Sequence, residues 1–268
     1  MMLSRAVLVA AILALILPLL YMFGTAFSPE SSIFEHALMP IPPNPTLENF
    51  SVAATTMNYF NMLLVSIIYA GGVTLGQLLI AVLAAYAFGC RRFPGDAWLF
   101  AALLATIPIP FVVTYVPNYL LMAKTHLLNT YAGLILPQVA SAYGIFLLRQ
   151  HFRAFPRSIL EAAGIDGASS WRILWRIVVP ANLPVIFALG VYVFVNTWNQ
   201  FIWPMIAMSD PSMHTLTVGV QDFVAGEGGN HWGALMAGAT LATLPTLLVF
   251  FFARRQILNT LMEGAVKG

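Results

Sequence analysis

Charged residues are absent from several long apolar stretches of this 268-residue chain and cluster in the segments between them. A helix needs about 20 predominantly apolar residues to cross the hydrocarbon core of a bilayer. Six charge-free stretches reach that length: 6–27, 49–90, 97–123, 125–148, 177–209 and 228–253. The second is longer than one span, so we expect its polar beginning, 51–58, to form a loop or to lie at the membrane interface. The pattern therefore predicts an all-α protein with six transmembrane helices.

The composition agrees with a protein that lies largely in lipid. Hydrophobic residues make up 60% of the chain and charged residues only 8%, and the mean hydropathy is +0.83. Soluble domains carry about 25% charged residues, so these values indicate an integral membrane protein. The formal net charge of +2 is too small to indicate nucleic-acid binding. Cys90 is the only cysteine, which excludes a disulfide framework within the chain and a cysteine metal site.

The first apolar stretch has two interpretations. Arg5, the apolar run after it and the small residues 24–26 would also suit a cleaved signal peptide. However, the uncharged run is longer than a usual signal-peptide core, and Pro18 interrupts it. We therefore interpret this stretch as a retained transmembrane helix.

The basic residues predict the orientation of the chain in the membrane. With the N-terminus in the cytoplasm, eleven of the twelve Lys and Arg residues fall on the cytoplasmic side or at its boundary, and only Lys124 falls outside. The opposite orientation would reverse that count, against the general excess of basic residues in cytoplasmic loops. We therefore expect both termini and the charged segment 154–180 to be cytoplasmic.

The segment 154–180 combines small residues, charge and apolar periodicity. Pro156 suits the start of a short helix over 158–163, and Gly164 and Gly167 permit a sharp turn after it. Candidate caps of the next helix are Asp166, Ser169 and Ser170. An apolar stripe follows at helical spacing, formed by Trp171, Leu174, Trp175 and Val178. From the residues alone, this pattern favours an amphipathic helix that lies on the membrane surface.

The same segment resembles the signature loop of ABC importer permeases. The resemblance rests on Glu161-Ala162-Ala163, then Gly167 after three residues, Ile177 after nine more, and Val179-Pro180. Val179 replaces the usual leucine, which is a similar apolar residue. In that family the loop is a cytoplasmic coupling helix that docks into a cleft on the ATPase subunit. The resemblance implies coupling residues at Glu161, Ala162, Ala163, Gly164, Asp166 and Gly167, with Glu161 pairing with a basic ATPase residue.

The fifth stretch carries polar and aromatic residues at positions i, i+4, i+7, i+8 and i+11 of a helix. They are Tyr192, Asn196, Asn199, Gln200 and Trp203. On one shared face, their amides and rings could hydrogen-bond and stack against a polyol or sugar, so we predict that they line a translocation pathway. The alternative is that Asn196 and Asn199 bond to neighbouring helices, an interaction of about 1 kcal/mol. Trp198-Asn199 also resembles a Trp-Asn pair of carbohydrate permeases of the ABC class.

Prolines and glycines within the other stretches predict breaks and close packing. Breaks are expected in the third and fourth stretches at Pro108, Pro110, Pro117 and Pro137. Such breaks are tolerated where protein or a water-filled cavity satisfies the freed backbone groups. Gly72 and Gly76 form a small-xxx-small pair, which predicts close packing of the second helix against a neighbour.

The segment between the fifth and sixth stretches, 210–232, is acidic and glycine-rich. In the resembled family the corresponding external loop reaches the substrate-binding protein, which implies contacts at Asp222, Gly226, Glu227 and Gly228. The charge pattern alone would indicate a solvated loop. The C-terminal residues 264–268 resemble the tail of maltose-type permeases, which approaches the ATPase subunits, and a frayed terminus explains them equally well.

The sequence lacks the common motifs of catalysis. No Gly-Lys-Ser or Gly-Lys-Thr phosphate loop occurs, so the chain cannot itself be the ATPase. The five histidines lack zinc-site spacing, and no nucleophile elbow occurs. No carboxylate lies in the middle of a span, which argues against a proton-coupled carrier. We therefore expect a non-enzymatic pore subunit with no cofactor of its own, ATP and Mg²⁺ being bound by the partner ATPase.

The resemblance extends over essentially the whole chain and includes 46–50 before the second helix. It identifies the chain as the second permease subunit of a carbohydrate-class ABC importer in the inner (cytoplasmic) membrane. The implied partners are a homologous permease, two ATPase subunits and an extracytoplasmic solute-binding protein, which together work by alternating access. The expected organisation is a first transmembrane helix with an external loop (1–57), a transmembrane domain of helices 2–6 (58–253) and a cytoplasmic C-terminal tail (254–268).

The resemblance favours glycerol-3-phosphate or a glycerophosphodiester as the solute. It rests on Trp198-Asn199-Gln200, on Trp203-Pro204, and on 226–228 followed by Trp232. However, no Lys or Arg lies deep in a span to meet a phosphate, so a neutral oligosaccharide such as maltose or trehalose is the alternative. A stand-alone secondary carrier is a more distant alternative, and it would not need the segment 154–180.

Overall fold

The computed structural model describes residues 2–34, 42–225 and 231–265, and this part of the chain is helical without strands. The α-helices are α1 Met2–Ala26, α2 Glu48–Thr56, α3 Tyr59–Cys90, α4 Asp96–Leu104, α5 Phe111–Lys124, α6 Tyr131–Ile135, α7 Ala142–Arg153, α8 Arg157–Ile165, α9 Ser170–Ile173, α10 Val179–Ala181, α11 Leu183–Trp198, α12 Ile202–Ala207, α13 Leu216–Ala225 and α14 Trp232–Ala265. Short 3₁₀ turns lie at Glu30–Ser32, Leu136–Gln138 and Pro211–Met213, and a π-helical turn lies at Leu174–Val178. The predicted all-α class is confirmed.

Three of the described helices contain segments that are long and apolar enough to cross a membrane. They are Val7–Ala26, Tyr59–Cys90 and Trp232–Arg254. Two further candidates are helix pairs that bend at a short break: Tyr131–Gln138 with Ala142–Arg153, at 51°, and Ser170–Ala181 with Leu183–Trp198, at 79°. The described chain therefore holds three to five candidate spans by length and composition, whereas the sequence predicts six.

The third predicted span, 97–123, is divided in the structure. It forms α4 and α5, and Pro110 precedes the first residue of α5 with an extended backbone. Proline fixes φ, has no amide to donate and disfavours a helical conformation of the residue before it, so it favours the start of a helix over its interior. The break predicted at Pro108 and Pro110 is confirmed, but Pro117 lies inside α5 and does not end it.

Residues 51–58, expected to form a loop or to lie at the membrane interface, are not a loop, because most of them belong to α2. Asn49 and Ala53, one turn apart on this helix, are buried. The Asn49 side-chain amide donates to the carbonyl oxygens of Ala26 at 3.1 Å and Ser28 at 2.7 Å. These bonds tie α2 to the end of α1 and supply acceptors for the buried side-chain amide of Asn49.

The chain divides into two compact units, and the first comprises the described residues of 1–66 and 210–247. Its core forms where three small residues meet, Ala26, Ala53 and Ala237, with larger apolar side chains packed around them. Small residues allow helices to approach closely. The Glu30 carboxylate accepts hydrogen bonds from the backbone amides of Trp232 at 2.9 Å and Gly233 at 3.1 Å. It therefore caps the positive end of α14.

The second unit comprises the described residues of 67–209 and 248–265. Its largest buried side chains include Tyr69, Leu134, Leu148, Phe152, Val178 and Trp203. The close packing predicted for Gly72 and Gly76 is confirmed. A Cβ added at Gly72 would lie 2.6 Å from Ile135 Cδ1, and one at Gly76 would lie 2.8 Å from Val139 Cγ1. The glycines of α3 thus admit the broken segment that leads from α6 to α7.

Candidate functional site

The charged segment 154–180 begins with α8, which follows Pro156 and ends in a hydrogen-bonded turn. The Gly167 amide donates to the Gly164 carbonyl at 3.1 Å, and the Ala168 amide donates to the Ala163 carbonyl at 2.9 Å. This pair of bonds is a Schellman motif, which satisfies the last carbonyl groups of a helix.

Gly167 closes the turn with a left-handed backbone, at a φ of 76°. An L side chain is strained there, so the sequence-based prediction that Gly167 permits the turn is confirmed. Gly164 behaves differently from the prediction, because it lies inside α8 and has no positive φ. The turn therefore depends on one glycine rather than two.

No residue of α8 is buried within this chain. Ile165 is 87% exposed and Ile159 is 45% exposed. A Cβ built at Gly164 or Gly167 would meet no atom within 4 Å, so the surface at this end of the helix is open. The helix thus presents one large apolar side chain, Ile165, that the described chain leaves almost uncovered, and a second, Ile159, that it covers in part.

The predicted coupling residues divide between two faces of α8. One face lines a groove of about 500 Å³ with Arg157, Leu160, Glu161 and Gly164, at helical positions i, i+3, i+4 and i+7. Ala162 does not line this groove. It lies on another face of the helix, which it shares with the exposed Ile159 and Ile165. Asp166 and Gly167 form the exposed turn. The structure therefore places all six residues on one helix and its turn, and only Glu161 and Gly164 line the groove.

The chain after this turn reaches α11 through an irregular connection. Of the three candidate caps, Ser169 caps α9: its hydroxyl accepts from the Arg172 amide at 3.3 Å. A π-helical turn follows at Leu174–Val178 and changes the helical spacing there. The predicted apolar stripe is divided, since Leu174 and Val178 are buried whereas Trp171, which lies on α9 before the π turn, is 63% exposed. Residues 170–181 and α11 then meet at a bend of 79°.

The predicted face of the fifth span is interrupted, because α11 ends at Trp198 and Asn199 is its C-cap. Tyr192, Asn196 and Asn199 are exposed. The side-chain amides of Asn196 and Asn199 each donate to a carbonyl one turn earlier, both at 2.8 Å. Gln200 and Trp203 lie beyond the helix end, so the prediction that all five residues share one helical face is wrong.

Trp203 is a buried anchor of α12. Its side chain is 0% exposed, its ring stacks on Tyr115 at a centroid distance of 6.3 Å, and its Nε1 donates to the Leu134 carbonyl at 3.1 Å. The Leu134 carbonyl belongs to the short helix α6. Trp203 therefore holds two helix fragments together and does not face open space.

Gln200 belongs to a buried polar network that the sequence analysis missed. The Tyr69 hydroxyl donates to Gln200 Oε1 at 2.8 Å and accepts from the side-chain amide of Gln138. Gln77 donates to the Gln138 backbone carbonyl at 2.7 Å. Helix breaks at membrane depth require such partners for their freed groups. The sequence did carry a signal for this network, because the side-chain amides of Gln77 and Gln138 lie within charge-free, largely apolar stretches.

A second cleft, of about 470 Å³, lies where two helix breaks meet. Its polar lining residues are Thr106, Thr114, Asn118, Ser141 and Tyr143. The Tyr143 ring packs 5.5 Å from the ring of Tyr192 on α11. Tyr143 thus links the cleft to Tyr192, a residue of the predicted pathway that does not itself line the cleft.

The predicted contacts to a binding protein lie at the edge of the described part of the chain or beyond it. Gly226, Glu227 and Gly228 lie outside the described residues, and so does the side chain of Asp222, whose backbone belongs to α13. Nearby, the Ser212 backbone amide and hydroxyl bond to the Asp210 carboxylate and hold its pKa below its ordinary value. Among residues 2–34, 42–225 and 231–265, no three His, Cys, Asp or Glu side chains lie close enough to hold a metal ion.

Comparisons with known proteins extend over nearly the whole chain. The family model described as "Binding-protein-dependent transport system inner membrane component" matches residues 1–262. The sn-glycerol-3-phosphate transport system permease protein UgpE of Salmonella typhi is 32% identical over 268 residues, which cover 97% of this chain and 95% of that protein. The protein of the same name from Yersinia pestis bv. Antiqua (strain Antiqua) is 33% identical over 264 residues, or 96% and 94% of the two chains.

The fold is also found in a solved structure. It is described as the crystal structure of a bacterial ABC transporter involved in the import of the acidic polysaccharide alginate. One of its chains superimposes with a TM-score of 0.84 and 19% identity, covering 95% of each chain. At that identity, the likeness concerns the fold alone.

Proposed function

This chain belongs to the family of inner membrane components of binding-protein-dependent transport systems, and we propose that it is one of two permease subunits of an ATP-driven importer of glycerol-3-phosphate. It is a transport component of the membrane rather than an enzyme. The observation that carries the proposal is α8, an exposed helix that ends in a left-handed glycine turn and leads through a π turn into α11.

The proposed topology has six transmembrane segments with both termini in the cytoplasm of the cell. The third segment would be α4 with α5, the fourth α6 with α7, and the fifth α11 with α12. The basic residues support this orientation, because eleven of the twelve would lie on the cytoplasmic side. In this arrangement α8 lies in the cytoplasm, where an ATPase subunit could reach it.

Docking of α8 into an ATPase cleft would rest mainly on its apolar face. Full burial of an isoleucine side chain contributes about 1.5–3 kcal/mol, and Ile165 has most of its surface available. Glu161 is exposed, and an exposed ion pair contributes about 0.2–1 kcal/mol. The apolar contacts therefore dominate unless the cleft removes water from Glu161. We propose Ile159, Ala162 and Ile165 as the docking face, with Glu161 at its edge.

The proposed solute path follows the polar cleft at the two helix breaks and the exposed residues of α11. Hydroxyl and amide groups from Thr114, Asn118, Tyr143 and Asn196 suit the hydroxyls of a polyol. Glycerol-3-phosphate is the preferred solute because the relatives reported above are named for it. The second candidate is a neutral oligosaccharide, which is favoured by the lack of charged residues among those that line the cleft.

The test is purification of the chain in mild detergent, followed by identification of the proteins that elute with it. We expect an ATPase subunit and a second permease. After reconstitution with the external binding protein, ATP-dependent uptake should be measured for glycerol-3-phosphate and for maltose or trehalose. Uptake without any ATPase would contradict the proposal and favour a stand-alone carrier.

A further inference from the structure

The groove beside α8 is strongly basic. It is lined by four arginines that come from three elements of the fold: Arg91 and Arg92 after α3, Arg153 at the end of α7 and Arg157 at the start of α8. Glu161 is the only carboxylate among the lining residues. Four positive charges and one negative charge leave a local excess of three positive charges in a space of about 500 Å³.

The protein itself does little to balance this charge. The Arg91 guanidinium donates to the Tyr86 hydroxyl at 3.2 Å and to the Ser170 hydroxyl, which ties the end of α3 to α9. Within the described part of the chain, none of the four arginines forms an ion pair with a carboxylate. Clustered guanidinium groups repel one another, and the repulsion is relieved when an anion lies between them.

The lining is chemically suited to a phosphate group. A guanidinium presents N–H donors in a planar fork that matches two phosphate oxygens. Ser169 and Ser170 add hydroxyl groups at the same groove. Basic pockets between helices on the cytoplasmic side of membranes are known to accept phospholipid head groups.

We propose that this groove binds a phosphate group, carried by the head group of an anionic phospholipid or by a soluble phosphate. The inference rests on the proposed function only for the cytoplasmic location of the groove. Because α8 forms one wall and the ends of α3 and α7 form the others, a bound phosphate would hold α8 against the membrane helices. A phosphate bound in the groove would therefore stabilise the position of α8, the helix proposed to dock.

Binding is tested on the full chain, with the subunits that co-purify, in lipid nanodiscs. In the first arm, phosphatidylglycerol is added to phosphatidylcholine nanodiscs and the retained phosphatidylglycerol is counted by native mass spectrometry. In the second arm, inorganic phosphate is titrated into pure phosphatidylcholine nanodiscs. A response in the first arm alone identifies a lipid head group, and a response in the second arm alone identifies a soluble phosphate.

Two double variants separate a site from general surface charge. Arg92→Gln with Arg157→Gln removes two arginines of the groove, and Arg172→Gln with Arg176→Gln removes two exposed arginines of the same segment that do not line it. We expect the groove variant to lower binding at least about tenfold, because charge-assisted hydrogen bonds are lost, and the control to leave it nearly unchanged. Equal losses in both variants, or no binding in either arm, would overturn the proposal.

Glu161→Gln gives a result of the opposite sign. Removing the one carboxylate of the groove should strengthen phosphate binding several-fold, and a misfolded variant could not produce that gain. The gain does not depend on an ATPase partner, so failure of the importer proposal leaves it measurable. Weaker or unchanged binding by Glu161→Gln would contradict the assignment of the groove.

Discussion

The helices α8 and α12 are both short and both lie beside an irregular stretch of chain, yet they are embedded differently. No residue of α8 is buried, whereas Trp203, Pro204 and Ala207 of α12 are. The end of α8 is shaped by local backbone bonds and one glycine, while α12 is held by a tryptophan that bonds to α6. Changes in α8 should therefore alter what the chain binds, and changes in α12 should alter whether the chain folds.

The largest effect is expected for Trp203→Ala. The substitution leaves a cavity in the core, which costs about 3–5 kcal/mol, and it removes the donor to the Leu134 carbonyl. We expect a marked fall in the thermal unfolding midpoint Tm of the purified chain and a low yield. Trp98→Ala is the matched control, because Trp98 is 73% exposed on α4 and should change Tm little. Similar Tm values for the two variants would show that Trp203 is not needed for folding, and the contrast between α12 and α8 would be lost.

Gly167→Pro should come next, with its effect on binding rather than on folding. Proline cannot adopt a φ of 76° and lacks the amide that bonds to Gly164, so the turn is lost at a cost of about 3 kcal/mol confined to this segment. We expect normal membrane insertion, with loss of ATPase subunits on purification or hydrolysis uncoupled from solute. Gly167→Ala retains the amide and should be milder. Full subunit content with normal coupled uptake in Gly167→Pro would show that this turn is not needed for coupling.

A smaller effect, on the affinity for the ATPase, should distinguish the apolar face of α8 from the face that carries Glu161. Ile165→Ser removes apolar area from the proposed docking face and should weaken ATPase binding by about 1.5–3 kcal/mol. Glu161→Gln should weaken it by only about 0.2–1 kcal/mol, since the carboxylate is exposed. Dissociation of the ATPase measured at increasing dilution would rank the two variants. The reverse order would mean that the charge, and not the apolar face, carries the docking.

The smallest effect on stability is expected for Asn199→Ala. Its amide is exposed and bonds only to the Val195 carbonyl one turn earlier among the described contacts, so unfolding should change by about 0.5 kcal/mol or less. Transport should nevertheless change if the exposed side of α11 meets the solute. Uptake and Tm are measured on the same preparation. Unaltered uptake at unaltered Tm would place the solute path elsewhere.

Local signals in the sequence predict part of the structure of the segment 154–180. The positive φ of Gly167 and the cap at Ser169 follow from residue type and spacing within a few positions. The π turn was not predicted, because its period differs from the α-helical period by which the stripe was found. The division of the stripe was not predicted either. The continuation of α8 through Gly164 was also missed, since glycine permits a turn without requiring one.

Long-range contacts limit what the sequence predicts about α11 and α12. No proline or glycine marks the end of α11 at Trp198, so spacing alone extends the helix to Trp203. The bonds among Tyr69, Gln138 and Gln200 join positions more than 60 residues apart, as does the bond from Trp203 to α6. The same reason applies to α2, where Asn49 finds its partners on a segment more than 20 residues earlier.

The open apolar face of α8 also bears on the abundance of the protein in a cell. Before assembly, Ile165 and much of Ile159 would lie against water, and exposed apolar patches promote aggregation. Chaperones and proteases act on such surfaces, so an unassembled copy would be expected to be shorter-lived than an assembled one. If an ATPase subunit docks on α8 as proposed, its supply would set how many copies survive, and this would balance the subunits of the complex without separate control of their synthesis.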